Sequence, residues 1–255
     1  MPDVLPPNDP RWGQESRDRK AEAILATLHL HCGRDLTHGV WLDIGCGSGG
    51  VAATLAAHVQ CMIGVDPEAW ERWQAFSRQH ANLRFHAASY RELETLLGPE
   101  SVDVVVCNQV YEHVDDPIAL LGAICRVMKP GAVCYFAGPN FWWPIEPHLH
   151  WPFAHWFPRA SVMWMIRKAG IVWAARWDAN AWSWRRLRRA FGMQGFECRS
   201  AVHERLVAQV NLFGGIASAM LRRLPRWIFK LLSPVAPGFI FVLTKKCWLS
   251  SHGDY

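Results

Sequence analysis

Three stretches bring together residue types that handle a nucleoside and move a proton. In Asp43-Ile44-Gly45-Cys46-Gly47-Ser48-Gly49-Gly50, an apolar run ends in an acid, glycines alternate, and a helical pattern begins. Glycine lets the backbone turn sharply and approach a ligand closely, and a helix N-terminus offers free N–H groups to an anionic group. Gly45, Gly47 and Gly50 also satisfy G-x-G-x-x-G, so the loop alone does not separate a dinucleotide from another nucleoside. The second stretch is Met62-Ile63-Gly64-Val65-Asp66, followed by Pro67. An acid ending the second strand is placed to accept from both ribose hydroxyls; the alternative is a surface Asp capping the next helix. In the third, Val102–Cys107 runs into Asn108-Gln109-Val110-Tyr111-Glu112-His113, polar groups at the edge of the sheet where open α/β folds bind ligands. His113 is the candidate general base, with loop stabilisation as its other role.

The elements that must position these residues follow from hydrophobic pattern. Val40–Ile44, Cys61–Val65, Leu83–His86, Val102–Cys107 and Val133–Ala137 read as strands, alternating with helical patterns near 49–58, 69–80, 90–97 and 118–128. Near-continuous apolar strands alternating with helices imply a parallel sheet covered on both faces. Glu15–His31 reads as an additional amphipathic helix, Ala181–Phe191 as a helix, and Gly195–Val202 and Phe239–Lys245 as the last two strands.

The set Asp43–Gly49, Asp66, Asp103–His113 and Arg126-Val127-Met128-Lys129-Pro130-Gly131-Ala132 resembles the class I S-adenosylmethionine-dependent methyltransferases. That family carries D-x-G-x-G-x-G, an acid ending strand two, a strand-four stretch ending in Glu-His, and a Lys-Pro-Gly turn before strand five. The resemblance covers about residues 40–138 in order. It implies a Rossmann-like, seven-stranded, mostly parallel α/β sheet with helices on both faces and its final strand antiparallel. It also implies S-adenosyl-L-methionine as cofactor, with Asp43 orienting the loop of Gly45, Cys46, Gly47 and Gly49, and with Asp66, Pro67, Asn108 and Gln109 around the nucleoside. Relatives often have Gly-Asp-Ala after strand three; here Ala87-Ala88-Ser89 leaves the backbone at Ala88 and Ser89 to meet the adenine. The loop after strand four resembles that of ubiquinone-biosynthesis O-methyltransferases, in which E-x-x-E-H is proposed to hold a divalent metal. Gln109 replaces the first Glu, so no metal is expected.

The regular alternation breaks after Ala137. Residues 139–158 hold five prolines, and nine of the fifteen tryptophans lie between Trp142 and Trp184. This reads as a Trp- and Pro-rich lid over residues 139–180, suited to an apolar or aromatic acceptor. Tyr111, Trp142, Trp143, His148, His150 and His155 are its candidate substrate contacts, and packing of the lid is the plainer reading of any one Trp. Glu146-x-His148-x-His150 has metal-ligand types, but Pro147 interrupts it and a fourth ligand is missing.

Charge is uneven. The net charge is +5, while 205–253 holds seven basic residues and no acid. Arg222, Arg226 and Lys230 recur every fourth residue beside Trp227, Ile228 and Leu231, with Pro225 placed to start a helix. A basic, Trp-bearing amphipathic insertion at 204–236 suits the plane of an anionic membrane, against the alternative of a helix packed on the sheet. Trp182-Ser183-Trp184-Arg185-Arg186-Leu187-Arg188-Arg189 mixes cations and aromatics as a nucleic-acid enzyme would. The loop at Asn108-Gln109-Val110-Tyr111 is not the N-P-P-Y type used on flipped bases, which makes nucleic acid the less expected partner.

With 51% hydrophobic and 19% charged residues the chain is not a disordered tail. The longest uncharged stretches of its C-terminal half, 206–221 and 231–244, are interrupted and fall short of the ~20 apolar residues of a spanning helix, so no transmembrane helix is expected, and its polar first twenty residues do not read as a signal peptide. The eight cysteines show no C-x-x-C pair and read as reduced thiols. The expectation is one domain over 1–255: an N-terminal helix region (1–39), a cofactor core (40–138), the lid (139–180) and C-terminal strands (181–255). The expected function is cytoplasmic methylation of a hydroxyl on a hydrophobic or lipid-linked small molecule, peripheral to the inner face of the membrane. An RNA or protein methyltransferase and a non-catalytic nucleoside-binding module are the alternatives.

Overall fold

The computed structural model describes residues 13–145, 151–170, 180–214, 220 and 223–246. Its strands are β1 (Val40–Ile44), β2 (Cys61–Asp66), β3 (Leu83–Ala87), β4 (Val102–Asn108), β5 (Met128–Pro139), β6 (Phe196–Ser200) and β7 (Gly238–Lys245). They form one seven-stranded sheet in the order β3-β2-β1-β4-β5-β7-β6. β1 to β5 run parallel, and β7 lies antiparallel between β5 and β6. A dinucleotide fold continues in parallel through its last strands, so this order resolves the ambiguity of the glycine loop in favour of the methyltransferase topology.

The helices are α1 (Gln14–Cys32), α2 (Gly50–Ala56), α3 (Arg72–Gln79), α4 (Leu93–Leu97), α5 (Pro117–Val127), α6 (Arg159–Lys168), α7 (Trp184–Met193), α8 (Val202–Phe213) and α9 (Arg226–Leu232). Alternate strand residues serve opposite faces, which is why the central strands read as unbroken apolar runs. Trp41, Val104 and Val106 pack with α1 and α2, while Leu42, Val105 and Cys107 pack with α4, α5 and α7. α1 seats Ala21, Ile24 and Leu28 against α2 at helical spacing. Asp116 starts α5 by accepting from the amides of Ile118 and Ala119, with Pro117 at the first helical position.

The Lys-Pro-Gly turn has a structural duty. Lys129 Nζ donates to both oxygens of Asp103 at 2.9 and 2.8 Å, and Asp103 Oδ2 also accepts from Val40 N–H at 2.8 Å. The pair clamps the starts of β1, β4 and β5 at the edge opposite the glycine loop. β5 starts at Met128, five residues before the expected Val133, because Met128 pairs with Val102 ahead of a register shift.

Beyond β5, buried Asn140 donates to the carbonyls of Pro234 and Ala236, both at 2.9 Å, and so staples the end of β5 to the approach to β7. Within 151–170, Ala154, Val162 and Ile166 form a small core separate from the two on the sheet.

Candidate active site

The chain leaves β1 for α2 on one face and β4 for α5 on the other, so a crevice opens at the carboxyl ends of these neighbouring strands. In open α/β sheets ligands bind there. Gly45, Gly47 and Gly49 all have positive φ, +67°, +50° and +84°. A Cβ on Gly45 would strike Val110, and one on Gly49 would strike Phe85. A Cβ on Gly47 would meet nothing within 4 Å. Gly45 and Gly49 are therefore glycine for packing, whereas Gly47 faces open space in the crevice.

The loop is held by hydrogen bonds from β2. Gly45 and Cys46 N–H donate to the carbonyl of Val65 at 2.7 and 3.2 Å, and Gly47 N–H donates to Asp66 Oδ2 at 2.9 Å. Asp66 Oδ1 accepts from Glu68 N–H at 3.1 Å. Trp70 Nε1–H also donates to Oδ1, at 3.5 Å; of the about four acceptor positions of an ionised carboxylate, the one left open and the one Trp70 holds at long range are available to hydroxyl donors. Pro67, next in sequence, is exposed. Trp73 and Phe85 buttress the loop: their rings stack at 5.0 Å, and Trp73 Nε1 donates to Gly47 O at 2.8 Å. Neither was among the residues singled out from the sequence, where an isolated Trp and Phe carry no periodic signal.

Asp43 lies buried under the loop. Burial pushes its carboxyl up to about 7; Lys20 and Arg17 of α1 oppose that rise and Asp66 adds to it. Burial in turn holds Arg17 and Lys20 below their usual ranges. These two cations one helical turn apart are the second omission of the sequence reading. Cys46 is buried with its thiol pushed up by burial, so it packs as a neutral group.

The loop after β3 is fixed by its own hydrogen bonds. Ala88 N–H already donates to Asp66 O at 3.0 Å, and Ser89 N–H donates to Glu92 Oε2 at 2.8 Å in a capping box. Both amide hydrogens are committed, so what this stretch of backbone still offers is carbonyl oxygen, the group to which an adenine amine would donate.

After β4, Asn108 remains in the ladder opposite Ala137, and exposed Gln109 turns left-handed at φ +60° while its N–H reaches Ala137 O. Left-handed non-glycine residues gather at functional sites. Tyr111 does not reach the crevice mouth. It is fully buried, its hydroxyl donates to Pro139 O and accepts from Trp182 N–H, and it ties the β4 loop to the start of α7 instead of meeting a ligand. Glu112 is buried against the bare face of Gly138, whereas His113 is exposed, with Nε2 4.0 Å from Glu112 Oε1. Tyr90 and Arg91 both hold Asp115, at 2.6 and 2.7 Å, which fastens the β3 and β4 loops together across the crevice.

Trp142 is exposed and Trp143 half-buried beyond β5, and Trp156 Nε1 donates to Phe141 O at 2.6 Å. His155 falls in a short 3-10 turn, Ala154–Trp156. Glu146, His148 and His150 lie outside the described residues. Among the described residues, no three His, Cys, Asp or Glu side chains group as metal ligands would. The stretch of cations and aromatics around α7 is self-engaged: Arg186 lies 3.7 Å over the Trp182 ring and Arg188 4.7 Å over that of Trp184.

Residues 14–201 match the family described as methyltransferase domain. Ubiquinone biosynthesis O-methyltransferase of Hahella chejuensis is 35% identical over 103 residues, covering 39% of this chain and 42% of that protein. The enzyme of the same name from Acinetobacter baylyi is 30% identical over 137 residues, covering 51% and 57%. The chain thus spans about half the length of the curated relatives it matches. Among solved structures, the plantazolicin methyltransferase BamL with a triazolic desmethylPZN analog and S-adenosylhomocysteine aligns with a TM-score of 0.56 at 12% identity, covering 91% of this chain and 85% of that one. Burkholderia thailandensis 1,6-didemethyltoxoflavin-N1-methyltransferase, with bound 1,6-didemethyltoxoflavin and S-adenosylhomocysteine, aligns at 0.53 and 16% identity, covering 93% and 82%. At those identities the likeness is one of fold.

Proposed function

We propose that this chain, which belongs to the methyltransferase-domain family of class I S-adenosylmethionine-dependent enzymes, methylates a hydroxyl of an apolar or lipid-linked small molecule at an anionic membrane surface. The observation that carries the donor site is the open face of Gly47 beside the Asp66 carboxylate at the β1–β4 crevice. S-adenosylmethionine supplies an activated methyl group on a sulfonium. The chain's own work is then to hold the nucleoside, align the acceptor and exclude water. Gly45, Gly47 and Gly49 cradle the methionine portion, Asp66 takes the ribose hydroxyls, and Asn108 and Gln109 border the crevice. His113 accepts the hydroxyl proton, and the Glu112 carboxylate beside it stabilises the imidazolium that results.

The apolar character of the acceptor rests on the aromatic surface beyond β5. Trp142, Phe153, Trp156, Phe157 and Trp164 are all exposed there, as a lid awaiting a hydrophobic ligand would be. The membrane part rests on α9, which buries none of its residues and exposes Trp227, Leu231 and Leu232 beside Lys230. Among the described residues no helix is long and apolar enough to cross a membrane, so association would be peripheral. The stacking of Arg186 and Arg188 on their own tryptophans disfavours a nucleic-acid acceptor, because it covers the faces on which bases would stack. Incubation of the protein with isotopically labelled donor and a host-cell lipid and metabolite extract tests the reading. A labelled methyl group in a chloroform-soluble product is expected; label appearing only in RNA or protein would overturn it.

A further inference from the structure

We propose that the cavity between the edge strand β6 and α9 binds one anionic phospholipid, with its phosphate toward Arg188 and Lys230 and its acyl chains along Trp227 and Phe229. The proposal deepens the membrane part of the reading above and rests on it.

β6 ends the sheet, and an uncovered edge strand exposes a row of unpaired backbone groups. α9 shields this edge from a distance. It is held by the Arg226–Glu204 ion pair at 3.2 Å, by Ser233 Oγ 3.3 Å from Ser200 Oγ, and by the Phe229 ring 5.4 Å from that of His203. Between them lies a cavity of about 610 Å³, within the range that holds a small ligand. It is separate from the methyl-transfer crevice: β6 lies four strands from β1, roughly 19 Å at the usual inter-strand spacing.

Two independent features define the ligand. The first is charge. Of the four arginines and lysines lining the cavity, Arg226 pairs with Glu204 and Arg199 with Glu197, while Arg188 and Lys230 have no carboxylate partner among the described residues. The second is unmet hydrogen bonding. Trp184 Nε1 and His203 Nδ1, both on lining residues, are buried without a hydrogen-bond partner. An indole N–H can only donate, and a buried donor is costly until an acceptor oxygen reaches it. Two cations without a carboxylate partner beside one space match a phosphate, whose several oxygens accept from both. The apolar lining by Trp227 and Phe229 continues into the exposed Leu231 and Leu232, giving the lipid tail a path toward the membrane.

Dihexanoylphosphatidylglycerol, kept monomeric below its micellar concentration, should bind the full chain saturably at one site by calorimetry. Dihexanoylphosphatidylcholine, whose choline adds a cation, and glycerol phosphate, which lacks the tail, should each bind at least roughly tenfold more weakly. Arg188→Gln with Lys230→Gln should weaken the phosphatidylglycerol by a similar factor while S-adenosylhomocysteine binding stays unchanged. Absence of saturable binding, or an affinity untouched by the double substitution, overturns the site. Equal binding of glycerol phosphate overturns the lipid and assigns the cavity to a soluble phosphate ester. Vesicle sedimentation alongside keeps the two readings apart: anionic vesicles bound without the monomeric lipid rejects the cavity alone, and monomeric lipid bound without vesicles rejects the membrane reading alone.

Discussion

Asp66 Oδ2 accepts the backbone N–H of Gly47 at 2.9 Å, so the acid that ends β2 sets the shape of the glycine loop that follows β1. One carboxylate thereby joins two tasks, holding the loop and presenting acceptor oxygens to the crevice. The same joining makes the site testable by affinity and by stability.

Asp66→Ala should weaken S-adenosylhomocysteine binding more than roughly tenfold in calorimetry, since hydrogen bonds to a charged acceptor contribute about 1.5–3 kcal/mol each. Asp66→Asn should lose less, because its amide oxygen can still accept from Gly47. Equal affinity of wild type and the Ala variant would remove Asp66 from the nucleoside site.

Gly47→Ala and Gly49→Ala should separate ligand space from packing. Both place a Cβ at positive φ, a cost of about 1–2 kcal/mol. At Gly49 the new methyl also meets Phe85, so that variant should show much the larger fall in melting temperature. At Gly47 the methyl points into open space, so the protein should stay folded while donor binding falls sharply. Gly47→Ala with wild-type affinity would mean that the donor lies elsewhere.

His113→Gln should reduce methyl transfer into the acceptor by roughly 10²–10⁴ while S-adenosylhomocysteine affinity stays near wild type. Unchanged turnover would mean that the acceptor is already ionised, or that another base takes the proton.

Asp43 gives a pH signature. Its folded pKa, about 7, is raised above the unfolded value of 3.8, mainly by burial. The folded state therefore binds the extra proton between these values, and stability falls as pH rises from about 4 to 7, then levels. Asp43→Asn should flatten that slope in urea unfolding measured at pH 5 and pH 8, with a difference of the order of a few kcal/mol. A wild-type slope retained in the variant would place the titration on another group.

Arg222, Arg223 and Lys230 changed together to Gln should abolish any preference for anionic over zwitterionic vesicles, each contributing about 1 kcal/mol near such a surface. Arg226 is left in place because it holds Glu204. Arg222 lies outside the described residues. Wild type remaining in the supernatant with anionic vesicles at low salt would make α9 an ordinary packed insertion.

The central strands and the glycine loop were legible in the sequence because each is a local pattern. A strand buried on both faces must be apolar throughout, and a loop with three left-handed turns must be glycine at those positions. The acid ending β2 was legible for the same reason, since its place follows from where one apolar run stops. What the sequence could not decide is which distant groups meet. Asp103 stands in the same motif as His113, yet it faces Lys129 at the opposite edge, because the nine residues between them carry the chain along most of β4. Tyr111 and His113 are two residues apart, yet one is buried under Pro139 and Trp182 while the other is exposed. Arg17 and Lys20 reach Asp43 only because α1 packs on α2 across the first strand. The cavity behind β6 exists only because α9 returns to shield an edge strand some thirty residues earlier in the chain. Local backbone preference acts over a few residues and leaves a readable pattern; contacts between remote segments are set by how whole faces bury together, and no short window of sequence carries them.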